Sequence, residues 1–238
     1  MHHESLGRNI PEGATPGMEG LANVALYTIG EAIYRYGEPA DHWYRVVAGA
    51  ARKYALTPGG SRHIVDFLLP GDLFGLAARS RHCFSVEAIT DSTAVARYAL
   101  PDAERLADTS PEIGHQVRDA AFDSIRRTQS RMVLLGRASA VERVGIFLLE
   151  MTERYRTVST DAVVLPMSRY DIADYLAMAV ETVSRALTRL RCDGIICLTG
   201  VREVRICDHR VLRRIVDKDE NLDPGPRLRQ PGPGRTPP

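Results

Sequence analysis

The chain has 238 residues, 44% hydrophobic and 26% charged, with a formal net charge of +1, an ordinary balance for a globular protein. No apolar run reaches the ~20 residues that a membrane span requires. The opening MHHESLGRNIPEG lacks a secretory apolar core, so a cytoplasmic location with no membrane partner is expected. The charge is unevenly spread: residues 1–110 carry ten Lys/Arg against thirteen Asp/Glu, whereas 168–214 carry nine Arg against six acids. That excess lies in the side chain best suited to bidentate phosphate contact. Cys83, Cys192, Cys197 and Cys207 form no CxxC pair, which argues against a zinc site and for thiols in a reducing compartment.

Residues 1–20 are rich in Gly, Pro and small polar types and are expected to be poorly ordered. From 21 to 109 short apolar runs are punctuated by Gly30, Gly37, Pro39, Gly49, Pro58-Gly59-Gly60 and Pro70-Gly71, about every ten residues. This is the texture of an all-β barrel or sandwich. SVEAITDSTAVARYAL adds two strand-like pieces around a turn at Asp91, and Cys83 is expected in the core of this half.

At Ser110-Pro111, a cap followed by proline at the first helical position, the period becomes helical. Ile113, Val117, Ala121, Ser124 or Ile125, Thr128, Met132 and Leu135 recur at three- and four-residue steps, predicting a helix over 110–136 of ~39 Å. Its apolar stripe fits a connecting helix with one buried face, or a helix pairing with its twin across a two-fold axis.

The region 137–216 begins with a second helix, opened by SAVE, Ser139 to Glu142, a capping-box spelling. TVSTDAVVLPM reads as a turn and a strand, and Ser168 to Asp171 caps a short helix, RYDIADYLAM. A break at 177–179 separates it from ETVSRALTRLRC, and GIICLTGVREVRI gives two strand-like runs around Thr199-Gly200. Short helix, tight turn, amphipathic helix and hairpin spell a winged helix-turn-helix. The tail, 217–238, is rich in Pro and Gly, nearly without apolar residues, and expected to be disordered.

On a wheel of about 100° per residue, Glu181, Ser184, Arg185 and Thr188 share one stripe, and Val183, Leu187 and Leu190 the opposite one. One reading is a solvated amphipathic helix with a Glu181–Arg185 pair. The other is a recognition helix, in which Glu accepts from cytosine N4 and Arg donates to guanine O6 and N7. Glu181 then weakens phosphate attraction in return for discrimination among sequences. Thr182 and Arg189 complete the candidate DNA-binding set. Cys192 falls on the same stripe, ~16 Å along the axis from Glu181. It is either a helix-end cysteine without a role or a thiol whose oxidation would obstruct DNA. Cys197 and Cys207 are expected to pack within the wing strands.

MSRYDIADYLAMAVETVSRALTRLRCDGII, with RMVLLGRASAVERVGIFLLEM upstream and LLPGDLFGL in the strand-rich half, resembles the Crp–Fnr transcriptional regulators, above all the Fnr and FixK branches. The resemblance spans most of residues 24–215. It implies an α+β chain with an N-terminal β-roll of the cyclic-nucleotide-binding kind, a long dimerisation helix and a C-terminal winged helix-turn-helix. It also implies double-stranded DNA, RNA polymerase and a second copy of the chain as partners. The family's E-x-x-S-R residues, which contact a TTG-type half-site, carry over to Glu181, Ser184 and Arg185. Ala177 departs from the glycine common in the family's turn.

The resemblance raises three effectors. The cyclic-nucleotide cassette has Leu76 where its Glu would sit and Cys83-Phe84-Ser85 near its Arg position; Arg79 and Arg81 lack the spacing. Residues 1–82 contain no cysteine, which excludes the N-terminal iron–sulfur ligation of Fnr proteins. His42, His63, His82 and His115 leave haem open. The expectation is a FixK-like regulator with no cofactor. The alternatives are an effector-dependent regulator with haem or another ligand in the roll, or a cyclic-nucleotide-binding module that does not touch DNA. No nucleophile elbow, GxGxxG, HExxH or GxxxxGK[ST] is present, so no enzyme is expected.

Overall fold

The computed structural model of the chain describes residues 17–57, 59–77, 80–137, 139–155, 162–200 and 202–217. The expected tail from 218, residues 1–16 and Arg79 lie outside the described residues. Eight strands come first: β1 (Asn23–Tyr27), β2 (Ala32–Tyr34), β3 (His42–Ala48), β4 (Ala51–Leu56), β5 (Arg62–Leu68), β6 (Leu73–Phe74), β7 (Ser85–Ala88) and β8 (Thr93–Ala99). They make two antiparallel sheets, ordered β1-β8-β3-β6 and β2-β7-β4-β5. Ala25, Val46 and Val95 of one sheet meet Tyr34, Leu68 and Val86 of the other in a common core, which closes the expected roll. Two turns demand glycine. Gly49 and Gly75 have φ of +78° and +80°, and a Cβ on either would lie 2.6 Å from Thr90 Oγ1 or from the Tyr44 ring.

Two features of this half depart from the sequence reading. Met18 is fully buried with Trp43, Tyr98 and Ile113, so the chain is packed into the fold already at this residue. A single apolar side chain among glycines carries no periodic signal, and only the pocket that receives it orders the chain there. Cys83 is exposed and not part of the roll core.

After β8 comes α1 (Leu100–Thr109), a helix that the strand-like texture does not anticipate, with Pro101 and Asp102 in its first turn. Then follow α2 (Pro111–Arg137) and α3 (Ala140–Arg154). The Ser139 side chain accepts from the Glu142 N–H, and the Glu142 carboxylate accepts from the Ser139 N–H, completing the capping box. The C-terminal half continues with β9 (Ala162–Val164), α4 (Arg169–Tyr175), α5 (Val180–Cys192), β10 (Ile196–Leu198), β11 (Glu203–Ile206) and α6 (His209–Asp217). β10, β11 and β9 form an antiparallel three-stranded sheet.

The roll and the helix-turn-helix share one core. Ile64, Phe67, Leu69 and Ile89 of the roll are buried together with Leu134 of α2, Phe147 and Met151 of α3, and Ile172 and Tyr175 of α4. At its centre the rings of Phe67, Phe147 and Tyr175 lie 5.2–6.3 Å apart, in tilted and edge-on contacts. Removing the Phe67 ring should therefore affect both halves. Phe67→Ala is expected to cost ~3–5 kcal/mol and to shift roll and head together in one urea transition. Separate transitions followed by Trp43 fluorescence and helical signal would refute a shared core.

Candidate nucleic-acid interface

The first helix of the motif, α4, is fixed at its start by Ser168, whose hydroxyl accepts from the Asp171 N–H at 3.1 Å. The Asp171 carboxylate accepts in return from the Ser168 N–H at 3.1 Å. After Leu176 the chain turns through Ala177, which has φ +51°, the left-handed conformation that glycine adopts without strain. The Met178 N–H donates to the Ala173 carbonyl at 2.9 Å, and α5 begins at Val180. The turn geometry of a glycine is thus kept with alanine in its place.

The amphipathic reading of α5 holds residue by residue. Val183, Ala186, Leu187 and Leu190 are buried, whereas Glu181, Ser184, Arg185, Thr188 and Arg189 are exposed and Thr182 is half-buried. The pair that would make this a plain solvated helix is not formed, since Arg185 Nη2 donates to Thr182 Oγ1 at 3.5 Å and not to Glu181. Glu181 and Arg185 are therefore both open to an outside partner. Ser184 Oγ donates to the Val180 carbonyl and Thr188 Oγ1 to the Ser184 carbonyl, each at 2.9 Å, so both hydroxyls present lone pairs outward. Arg189 is differently placed: its Nε donates to Asp193 Oδ2 at 2.8 Å, a bond that holds its pKa above the usual arginine value. Cys192 ends the helix as an exposed free thiol.

Cys197 of β10 and Cys207, just after β11, are not independent packing residues. Their sulfurs are brought together across the wing, with Cα atoms 6.4 Å apart, and Cys207 is exposed. They stand diagonally across the wing, where Cys197 is directly opposite Arg205. A ten-residue separation without a CxxC pattern gives no hint of that proximity, which depends on the hairpin register.

The long helix α2 uses two faces. Of its six expected contact residues, Ile113 is only 2% exposed, packed in its own chain against Met18, and so cannot meet a partner. Val117 and Leu135 are half-buried against the same chain's clusters, and Ala121 is half-buried. Ile125 and Met132 are exposed, on a stripe that also carries Phe122 (62% exposed) and Val133. Phe122 was missed by the sequence reading, although 122, 125, 129 and 132 follow a 3,4 spacing. The stripe chosen from the sequence mixed inward and outward faces, because a helix with two apolar sides offers more than one such register.

Residues 25–108 match the family of cyclic nucleotide-binding domains, and residues 142–215 match Crp-like helix-turn-helix domains. The nitrogen fixation regulation protein FixK of Rhizobium meliloti is 38% identical over 198 residues, covering 83% of this chain and 89% of the relative. The chain belongs to the Crp–Fnr family. It is a DNA-binding transcriptional regulator of the FixK-like branch. The transcriptional activatory protein AadR of Rhodopseudomonas palustris is likewise 38% identical, covering 77% of this chain and 78% of its own. The solved structure of FixK2 from Bradyrhizobium japonicum superposes with a TM-score of 0.76 at 39% identity, over 82% of this chain and 96% of that one. A CooA structure from Carboxydothermus hydrogenoformans, 17% identical with a TM-score of 0.71 over 90% of this chain and 98% of that one, shares the fold. No helix among the described residues is long and apolar enough to cross a membrane.

In this regulator the roll and α2 enclose a cavity of about 390 Å³ lined by Tyr34, Lys53, Asp66, His82, Phe84 and Arg127, among others. The side chains present do not fit a cyclic nucleotide in the family's manner. Leu76 packs with the apolar cluster around Trp43, Cys83 is exposed, and Ser85 Oγ already accepts from the Tyr36 N–H at 3.0 Å. Arg127 donates to Asp66 Oδ2 at 3.0 Å, and Asp66 Oδ1 lies 3.6 Å from Arg154. Arg81 is exposed and donates to the Gly37 carbonyl at 2.6 Å. His82 stacks on Tyr34 at 3.6 Å, and burial holds its pKa below the usual histidine value. Among the described residues, no three His, Cys, Asp or Glu side chains converge as a metal-ligand set.

The left-handed alanine of the turn is testable by stability. Ala177→Gly removes a conformational cost of ~1–2 kcal/mol and adds back ~0.4–1 kcal/mol of unfolded-state entropy. A net gain in unfolding free energy and unchanged DNA affinity are expected from denaturant titration, whereas a loss would show that the alanine methyl is doing packing that the backbone angle conceals.

Proposed function

We propose that the regulator binds, as a homodimer, a two-fold symmetric DNA site with TTG-type half-sites, and does so without cyclic nucleotide, haem or iron–sulfur cluster. The observation that carries this reading is the outward stripe of Glu181, Ser184 and Arg185 on the second helix of the motif, with Glu181 and Arg185 unpaired to each other. With the N-terminal turns of α5 in the major groove, Arg185 donates twice to guanine O6 and N7. Glu181 accepts from cytosine N4 on the same or a neighbouring pair. Thr182, Thr188 and Arg189 lie at the margins of the stripe, where phosphate contact is the natural role; Arg189 first has to leave Asp193. The carboxylate of Glu181 repels the phosphates, so it lowers affinity for all DNA while rewarding the matching base.

The dimer reading is supported by the exposed stripe of Phe122, Ile125, Met132 and Val133 on α2, an apolar face with the 3,4 spacing that a twin helix fits. Two copies place their α5 helices one DNA turn, ~34 Å, apart on a palindrome. The name of AadR as an activatory protein favours activation, with RNA polymerase as the further partner. Cofactor-free operation is supported by the cavity chemistry above, in which the cassette residues for ribose and phosphate are replaced.

Two variants test recognition. Arg185→Ala should lose ~1–3 kcal/mol of specific affinity per half-site and tolerate substitution of the guanine. Glu181→Ala should change base preference while its affinity for unrelated DNA stays equal or rises. Anisotropy titrations of purified protein, with no nucleotide added, decide both, and full specificity in Glu181→Ala would remove Glu181 from the readout.

Dimerisation has its own test. Phe122→Glu or Met132→Glu should shift sedimentation toward the monomer and weaken binding to the full palindrome more than to a single half-site. A wild-type monomer that occupies the whole site would overturn the dimer.

The exposed thiol of Cys192 supports redox control of the same surface. A hydroperoxide oxidises it to a sulfenic acid with loss of one alcohol or water, and further oxidation adds a negative charge near phosphate. Peroxide should then reduce DNA binding in the wild type and not in Cys192→Ser. Loss of binding with Cys192 still a thiol by mass spectrometry would end this reading.

A further inference from the structure

A group of charges remote from the reading stripe joins the roll to the helix-turn-helix, and DNA contact does not account for it. Asp171 is only 5% exposed, and its two oxygens do different things. Oδ2 accepts from the Ser168 backbone N–H and, at 2.7 Å, from the Ser168 hydroxyl, which caps α4. Oδ1 accepts from Arg52 Nη1 and, at 3.0 Å, from Arg62 Nη2, both on the roll. Glu87 on β7 steadies the two arginines, meeting Arg52 Nε at 2.6 Å and Arg62 Nη1 at 3.4 Å. Asp174, later on α4, takes Arg62 Nε at 3.5 Å.

A second set has the opposite polarity. Arg154 of α3 donates to the roll's Asp72 and to the Phe67 carbonyl, and approaches Asp66 at 3.6 Å. Roll arginines thus hold head acids at one place, and roll acids hold a head arginine at another. The covalent link from α2 to α3 is two residues long, 138 and 139, so these contacts and the aromatic cluster determine the angle of the head. Ion pairs this buried return little net stability, because desolvation offsets the Coulomb gain, but the planar guanidinium fork makes them directional.

We propose that Arg52 and Arg62 are positioning residues for DNA recognition: they lock the helix-turn-helix to the roll at one angle and thereby set the half-site separation that the dimer accepts. The inference rests on the reading of a dimer on a two-fold symmetric site. Adding one base pair between half-sites moves the second by ~3.4 Å and rotates it by ~35°. A locked head cannot follow that displacement, and a released head can. Neither arginine bonds to any residue of α5, so releasing them leaves the reading stripe as it was.

The test compares full-length wild type with Arg52→Met/Arg62→Met, substitutions of similar length without charge. Each is titrated against palindromes whose centre is shortened or lengthened by one and two base pairs, and against a single half-site. The wild type should prefer one spacing by ~100-fold over its neighbours, the equivalent of one or two mismatched base pairs. The double variant should lose ~10-fold at that spacing, bind the neighbouring spacings nearly as well, and keep its half-site affinity. An unchanged spacing profile in the double variant overturns the proposal. A wild type that binds no spacing instead overturns the palindrome reading on which it rests. If the double variant does not fold by circular dichroism, Arg62→Lys and Asp174→Asn are measured in its place. A broadened profile in Asp174→Asn, with Arg62→Lys closer to wild type, supports the latch, and two wild-type profiles refute it.

Discussion

The rest of the structure depends on the burial of Phe67, Phe147 and Tyr175 against one another, because this contact makes the roll and the DNA-binding half a single packed body. An apolar interface of this kind is non-directional and would tolerate rotation. Its surroundings do not. Arg131 of α2 stacks on Tyr175 at 4.5 Å while donating to the Tyr175 and Val65 carbonyls, tying helix, roll and α4 together with one side chain. An unpaired charge there would cost several kcal/mol, and Asp66, Asp72 and Glu150 gather around Arg154. Glu150, next to Arg154, shows the cost of that environment: burial pushes its carboxyl above the usual range even with an arginine nearby.

The proposed reading surface follows the opposite physics. The residues of α5 that face outward are held only by their own helix, through hydroxyls bonded back to carbonyls and through Arg185 resting on Thr182. Such contacts are weak enough to exchange for DNA groups at little cost. The buried stripe of Val183, Ala186, Leu187 and Leu190 meanwhile fixes which way the helix presents them. Rigidity thus resides under the helix and adaptability on it.

The long helix α2 is shaped by a similar division. Arg127, Arg131 and Leu134 face the chain's own roll and head, so that side of the helix is spent inside the protomer. Phe122, Ile125, Met132 and Val133 are the large apolar side chains of α2 that remain exposed. A helix apolar on two sides suits the proposed dimer.

Local features were legible in the sequence alone. The Ser139 and Ser168 capping boxes, the amphipathic spacing of α5, the wing hairpin and the start of α2 at Pro111 each depend on neighbours within a few residues, and each is written in that spacing. The common outward face of Glu181, Ser184 and Arg185 was legible for the same reason. Met18, the meeting of Cys197 with Cys207, the inward turn of Ile113 and the sharing of Asp171 between a cap and two arginines were not. Asp171 is the clearest case. Its spelling predicts a cap, which it is, but Arg52 and Arg62 lie 119 and 109 residues away, and no local period links them. Sequence spacing determines which side chains share a face, because helix and strand periods are fixed by the backbone. Which faces meet is decided only when the chain closes on itself and buried charges must pair.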